Sequence, residues 1–181
     1  MIKTKTILGL SLAAVFAVSM MMLPAYAGGH AVVTSATADE KGGSLKLSVT
    51  TGGDISRSPD GLASSALVFG YAWVDLDTGN VVLATIHPEI GRDSNQNPDA
   101  WHPHQGVLDQ EGQDSDFCIL SLGTAQGGIK IKGNTLSLNI ASNQAGVSVD
   151  DLDVAVAFKV VEDLDCTSTL GVNLTATPVG L

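Results

Sequence analysis

The sequence is short of basic residues, and this shortage excludes two classes of partner. Nine lysines and arginines stand against 19 aspartates and glutamates, which gives a formal net charge of −10. A surface this acidic repels the phosphates of nucleic acids and the headgroups of anionic lipids. We therefore predict that the protein does not bind nucleic acid.

Long hydrophobic runs are also scarce, because only one is present. It extends over 17 residues from Ile7 to Leu23, follows the basic stretch MIKTKT and is broken by Pro24. Small residues at Ala25 and Ala27 complete the pattern of a secretory signal peptide. We expect a signal helix in residues 1–27, cleavage after Ala27 and one secreted or extracytoplasmic domain over 28–181, with no membrane partner after cleavage. An uncleaved anchor is the competing interpretation, because 17 residues is close to the lower limit of about 17–25 for a spanning helix.

Cysteine is limited to two residues, Cys118 and Cys166. An even pair in an exported chain is most simply a disulfide bond. The alternative, a cysteine metal ligand, requires a nearby histidine or cysteine at ligand spacing, and neither cysteine has one.

Helical periodicity is nearly absent after residue 27, where alternation of apolar and polar residues is common. The clearest unit is IKIKGNTLSLNI, in which two alternating runs are separated by Gly133 and Asn134. A glycine at the first position of a two-residue loop is typical of a β-hairpin turn. Two further runs, ALVFGYAWVDL and VVLATIH, are almost continuously apolar, which predicts strands that are covered on both faces.

These patterns predict about eight strands, and hence an all-β protein. We expect an antiparallel β-sandwich with Greek-key-like connections, and the alternative is a small β-barrel. Residues 88–116 depart from the regular pattern, since they are polar, acidic and rich in turn-forming residues. A loop of that length in a compact domain is usually functional or disordered.

Four histidines are present, and three of them suggest a metal site. His102 and His104 flank Pro103, and in an extended backbone both imidazoles point to one face. His87 closes an apolar strand and is the third candidate ligand. Neutral imidazoles on one face are suited to copper or zinc.

The H-x-H pattern resembles the copper strand of copper–zinc superoxide dismutases over three residues. Too few other histidines are present to complete a two-metal site, so the resemblance does not extend to that activity. Second-choice oxygen ligands are Glu89, Asp93 and Asp99. In the competing interpretation the histidines are solvated loop residues beside Trp101.

His30 forms a separate candidate site at the expected new amino terminus. Cleavage after Ala27 would leave Gly28-Gly29-His30, which resembles the amino-terminal motif that binds Cu(II) or Ni(II). The amine, two backbone amides and the imidazole form a square-planar nitrogen set, a geometry that suits these metals better than Zn(II). In the competing interpretation these glycines are only a flexible leader.

Calcium binding and catalysis have weaker support. The segment DSNQNPD, residues 93–99, resembles the start of an EF-hand loop, but Pro98 stands where that loop needs glycine. An irregular calcium loop remains an alternative. No G-x-S-x-G, H-E-x-x-H or phosphate-loop motif is present, so the sequence favours a protein that is not an enzyme.

The preferred hypothesis is an exported metal-binding protein for metal capture, delivery or sensing, with copper favoured over zinc. Its candidate ligands are His87, His102 and His104, with His30 as the terminal site. The rival hypothesis is a structural subunit of a cell surface, matrix or filament. It would assemble as a homo-oligomer or with a cell-surface partner, because HAVVTSATA could be added as a strand to another sheet.

Overall fold

The computed structural model describes residues 29–59, 62, 66–87, 100–109 and 115–181. The predicted signal helix therefore lies outside the described residues. Within them the protein is all-β, as predicted, and no helix is long and apolar enough to cross a membrane. The strands are β1 Val33–Lys41, β2 Ser44–Thr51, β3 Val68–Val74, β4 Asn80–Ile86, β5 His102–Asp109, β6 Phe117–Thr124, β7 Gly127–Lys132, β8 Thr135–Ala141, β9 Val154–Glu162, β10 Leu170–Leu174 and β11 Val179–Gly180. One helical turn, α1 Ser142–Ala145, and two 3-10 turns, Gly29–Ala31 and Val149–Asp151, complete the described elements.

Four strands form an open antiparallel sheet in the order β1-β2-β8-β7. The alternating sequence pattern accounts for its two faces, because side chains along a strand point in opposite directions in turn. Leu47 of β2 lies opposite Leu138 of β8, and both leucines are buried. The two neighbours of each leucine along its own strand are polar. The predicted hairpin is confirmed: β7 and β8 pair from Lys132 and Thr135 outward, and Gly133 has the positive φ of 58° that this turn requires.

The second sheet closes on itself. Its order is β10-β6-β5-β4-β3-β9-β11, and β10 also pairs with β9, so six strands form a ring with β11 outside it. Every pairing in the ring is antiparallel. The prediction of a sandwich and its barrel alternative each describe part of the molecule: two sheets pack face to face, and one of them is a small closed barrel.

Strand β3 shows why the apolar runs are continuous. Its residues Phe69, Tyr71 and Trp73 pack towards the four-stranded sheet, in the core cluster that contains Leu47 and Leu138. The alternate residues Ala72 and Val74 belong to a second buried cluster, inside the barrel. A strand between two cores must be apolar on both faces, so the prediction for β3 and β4 is confirmed.

The long polar loop predicted over residues 88–116 is wrong in its second half. Residues 102–109 form β5, a strand of the ring between β4 and β6. The polar, acidic and turn-rich composition of the whole segment had indicated a loop. Pro103, which cannot donate to a ladder, is tolerated because the register pairs with β6 begin only at His104. On that side the carbonyl oxygen of Pro103 accepts a hydrogen bond from the Ala125 amide at 3.4 Å. The structure does not describe residues 88–99 and 110–114.

The predicted disulfide between Cys118 and Cys166 is confirmed, with a Cα–Cα distance of 5.3 Å. It joins β6 to the turn that connects β9 with β10. At this position β6 and β10 share only two register pairs. The disulfide therefore crosslinks the ring beside the β6–β10 seam, the junction of neighbouring strands that has the fewest register pairs.

Candidate metal centre

Two neighbouring strands position the three histidines. His87 directly follows β4, and His102 and His104 belong to β5. In the antiparallel ladder Thr85 lies opposite His102 and Leu83 opposite His104, so the end of β4 meets the start of β5. Alternation along both strands then places the three imidazoles on one face.

The imidazoles converge closely. One ligand atom from each of His87, His102 and His104 lies within 4.8 Å of the other two. The ring centroids are 4.7 Å apart for His87 and His102, 4.9 Å for His102 and His104, and 6.0 Å for His87 and His104. All three side chains are buried, with exposed fractions of 8%, 3% and 1% in chain order. This group is the one cluster of at least three potential ligand residues within the described part of the chain.

Backbone carbonyls orient two of the rings. His102 Nδ1 lies 2.7 Å from the carbonyl oxygen of Ala100, and His104 Nδ1 lies 3.2 Å from that of Gly123. A carbonyl only accepts, so each Nδ1 carries the proton and donates it. In the neutral ring Nε2 then carries the lone pair. A carbonyl that fixes the tautomer in this way is the usual outer-shell partner of a metal-binding histidine.

This geometry is suited to a single metal ion with three nitrogen ligands, and no fourth ligand residue joins the group among the residues that the structure describes. Zn–N bonds of about 2.0–2.1 Å place two nitrogens on one tetrahedral ion about 3.3 Å apart. The nitrogens therefore need to approach by no more than about 1.5 Å, which small side-chain rotations provide. Imidazole nitrogen is a ligand for zinc, copper, iron and nickel, and among the divalent ions Cu(II) binds most tightly at a given site.

The interpretation of these histidines as solvated loop residues is wrong, because they are buried in a strand and at its neighbour's end. Trp101 also lies apart from them, since it occupies the opposite face of the chain. Its ring stacks on Tyr71 at 5.5 Å, and its Nε1 donates to the carbonyl of Ser56 at 2.8 Å. Alternation explains the separation of Trp101 from its neighbour His102.

His30 is not part of the cluster. It lies in the first 3-10 turn, where its ring meets Phe69 edge to face at 5.5 Å and its carbonyl accepts the hydroxyl of Tyr71 at 2.8 Å. Burial lowers the pKa of the His30 imidazole below its usual 6.5. Gly28, which the terminal site needs, lies outside the described residues, so that site stays a prediction.

The other predicted metal ligands also fall outside the description. The oxygen ligands Glu89, Asp93 and Asp99 and the calcium segment of residues 93–99 belong to the range 88–99, which the structure does not describe. The calcium alternative therefore also stays a prediction.

Sequence analysis missed Thr85. Its hydroxyl is buried at an exposed fraction of 3% and makes no hydrogen bond among the residues that the structure describes. Thr85 lies opposite His102 and two positions before His87, on the same face of the strand. That spacing was the available signal: a polar residue two positions from a histidine, within an apolar run.

Comparison with known proteins adds no further constraint on the site. No protein-family model matches the chain, and no curated protein and no solved structure matches it.

Proposed function

We propose that the protein is an exported metal-binding domain in which His87, His102 and His104 hold one Cu(II) or Zn(II) ion. The observation that carries the proposal is the convergence of three buried imidazoles within 4.8 Å. Three imidazoles whose ligand atoms converge on one point form the kind of nitrogen donor set that holds a catalytic or transport zinc or copper ion, so a shared metal ion explains the arrangement. Copper is favoured over zinc because Cu(II) binds nitrogen ligands more tightly.

Export is part of the proposal. Residues 1–27 would be the signal peptide, and residues 28–181 the secreted domain. The disulfide bond supports an oxidising compartment, since such bonds are rare where thiols are kept reduced. Mass determination of the secreted chain tests this directly: a product that begins at Gly28 is expected, and retention of residues 1–27 would contradict it.

The role would be metal capture, delivery or sensing outside the cytoplasm. The rival hypothesis, assembly by strand addition, has weaker support. Strand β1, which contains most of HAVVTSATA, pairs along its length with β2 of the same chain. One edge of β1 is therefore already paired within its own sheet, and only the outer edge, at the side of the four-stranded sheet, could receive an added strand.

The test measures metal stoichiometry and affinity in the chain from Gly28 onward, extended by one residue before Gly28. The extension removes His30 from the third position, so any Cu(II) chelate at the amino terminus is lost. One Cu(II) or Zn(II) per chain is expected. Metal binding should also raise the thermal midpoint, because a ligand that binds only the folded state stabilises it.

The double variant His102→Gln/His104→Gln should bind this metal at least about a hundredfold more weakly. Loss of a residue that only orients a metal ligand already weakens binding by about 10–100-fold, and this variant removes two ligands themselves. His30→Gln is the matched control and should leave the affinity unchanged. Equal affinity in the double variant and the control would overturn the proposed site.

A further inference from the structure

The closed barrel encloses a cavity of about 670 Å³. Its wall includes residues from all six strands of the ring, so the cavity exists only because the sheet closes. Small-molecule sites typically measure about 300–1,000 Å³, and they are mostly apolar with a few polar groups. In volume and lining the barrel interior matches this description.

Most of the wall is aliphatic. Examples are Val81, Leu83, Val156, Val160 and Val172, which also belong to the second buried core cluster. The aliphatic part of the wall is suited to hydrocarbon, because burying apolar surface against it removes that surface from water.

Three polar side chains of the wall belong to the candidate metal centre or adjoin it, and the other polar side chains of the wall are Ser121, Glu162, Ser168 and Thr169. His87 and His104 line the cavity, and so does Thr85, which lies two positions before His87 on the same face of the chain. The Thr85 hydroxyl is buried and has no hydrogen-bond partner among the described residues. Such a hydroxyl costs free energy unless a ligand or water satisfies it, so it points to a polar group of the occupant at this position.

The charge of the bound metal ion determines which kind of polar group the occupant of the cavity should carry. Three neutral imidazoles leave the two positive charges of a bound Cu(II) or Zn(II) uncompensated, and an unpaired charge in apolar surroundings is costly. Within the described residues no carboxylate belongs to the histidine group. Glu162 lines the cavity as well, but it is exposed at the end of β9. No buried carboxylate among the described wall residues supplies the missing negative charge, and an anionic ligand would supply it.

We propose that the cavity binds an aliphatic carboxylate, with its hydrocarbon chain inside the barrel and its carboxylate on the fourth position of the histidine-held metal. This inference rests on the metal site proposed above. Thr85 would donate a hydrogen bond to the same carboxylate. The ligand would enter beside Leu122, which lines the cavity although half of its side chain is exposed.

The test uses isothermal titration calorimetry on the chain from Gly28 onward, which contains all described residues. Decanoate and decanol, both below their aggregation concentrations, are titrated into the Zn(II)-loaded and the metal-free protein. Decanoate should bind the loaded protein at least about tenfold more tightly than the metal-free protein, the order expected of a charge-assisted interaction. Decanol should bind both forms equally.

Three variants locate the binding. Ala72→Phe fills the cavity from β3 and should abolish decanoate binding while one Zn(II) per chain is retained. Thr85→Val preserves shape but removes the hydroxyl, and should weaken decanoate binding by about tenfold. Leu122→Asp places a negative charge at the mouth and should weaken binding, whereas the matched variant Leu120→Asp, at an equally exposed leucine outside the cavity, should not.

The outcomes separate the two proposals. Absence of Zn(II) and Cu(II) binding overturns the metal site and, with it, the carboxylate position. If the metal binds but decanoate does not, only the cavity inference is overturned. Equal decanoate affinity with and without metal also overturns it, as does binding that survives Ala72→Phe. If Ala72→Phe does not fold, equal decanoate affinity in Leu122→Asp and Leu120→Asp overturns it instead.

Discussion

Removal of the disulfide should open the barrel at its weakest seam. Strands β6 and β10 share two register pairs, whereas the other five seams of the ring have between five and seven. The disulfide lies at this seam, because Cys118 is itself one member of a β6–β10 pair. A hydrogen bond of 2.8 Å from the Leu174 amide to Asp116 Oδ2 also spans it. The informative variant is Cys118→Ala/Cys166→Ala, because both cysteines are buried and serine would leave buried hydroxyls.

The expected loss follows from the loop that the bridge closes. The cysteines are 48 positions apart, and the chain-entropy model gives a stabilisation of about 4 kcal/mol for a loop of that length. A typical domain has about 5–15 kcal/mol in total. The variant should therefore remain folded but close to the limit of stability.

Urea unfolding followed by tryptophan fluorescence measures this loss, with the oxidised wild type as the reference. The wild type treated with reductant should lose a similar amount. Zn(II) affinity should be unchanged, since the histidines lie on the intact β4–β5 pair, but decanoate binding should weaken because the cavity depends on closure. A loss of stability below about 1 kcal/mol would refute the chain-entropy reasoning.

Two further predictions concern pH. Burial raises the pKa of Tyr71 far above its usual value of 10.0, so the unfolded state ionises first and stability should fall as the pH rises above 10. Tyr71→Phe should flatten that fall, measured as the urea midpoint between pH 8 and 11; an unchanged slope would contradict it. Burial lowers the pKa of His30 below 6.5, so the unfolded state takes up protons more readily and stability should decrease as the pH falls through 6.5. His30→Gln should reduce this decrease between pH 7.5 and 5, and identical profiles would exclude His30 as its source.

Local patterns were sufficient to predict much of the fold. Alternation in β2, β7 and β8 predicted strands with one buried face, and Gly133 predicted the hairpin because its turn requires a positive φ. Continuous apolar runs in β3 and β4 predicted strands covered on both sides. Each of these signals depends on neighbours in sequence, which is why it can be read without a structure.

Strand β5 shows where local patterns fail. It lies in a segment, residues 88–116, whose polar, acidic and turn-rich composition indicated a loop. The strand forms because β4 pairs with its first six residues and β6 pairs with its last six residues. Tertiary pairing of this kind overrides local propensity, and no window of the sequence records it.

For the candidate site, the sequence by itself identified the histidines as possible nitrogen ligands of a metal ion, and the tertiary structure decided how these side chains are arranged in space. The H-x-H spacing places His102 and His104 on one face because strand side chains alternate, and the pair of cysteines specified the disulfide because only one pairing exists. Only the β4–β5 register brings His87 to that face, and only closure of the ring places His87, His104 and Thr85 on the wall of an apolar cavity. Register and closure depend on contacts between residues far apart in the chain, and a sequence pattern limited to neighbours does not contain them.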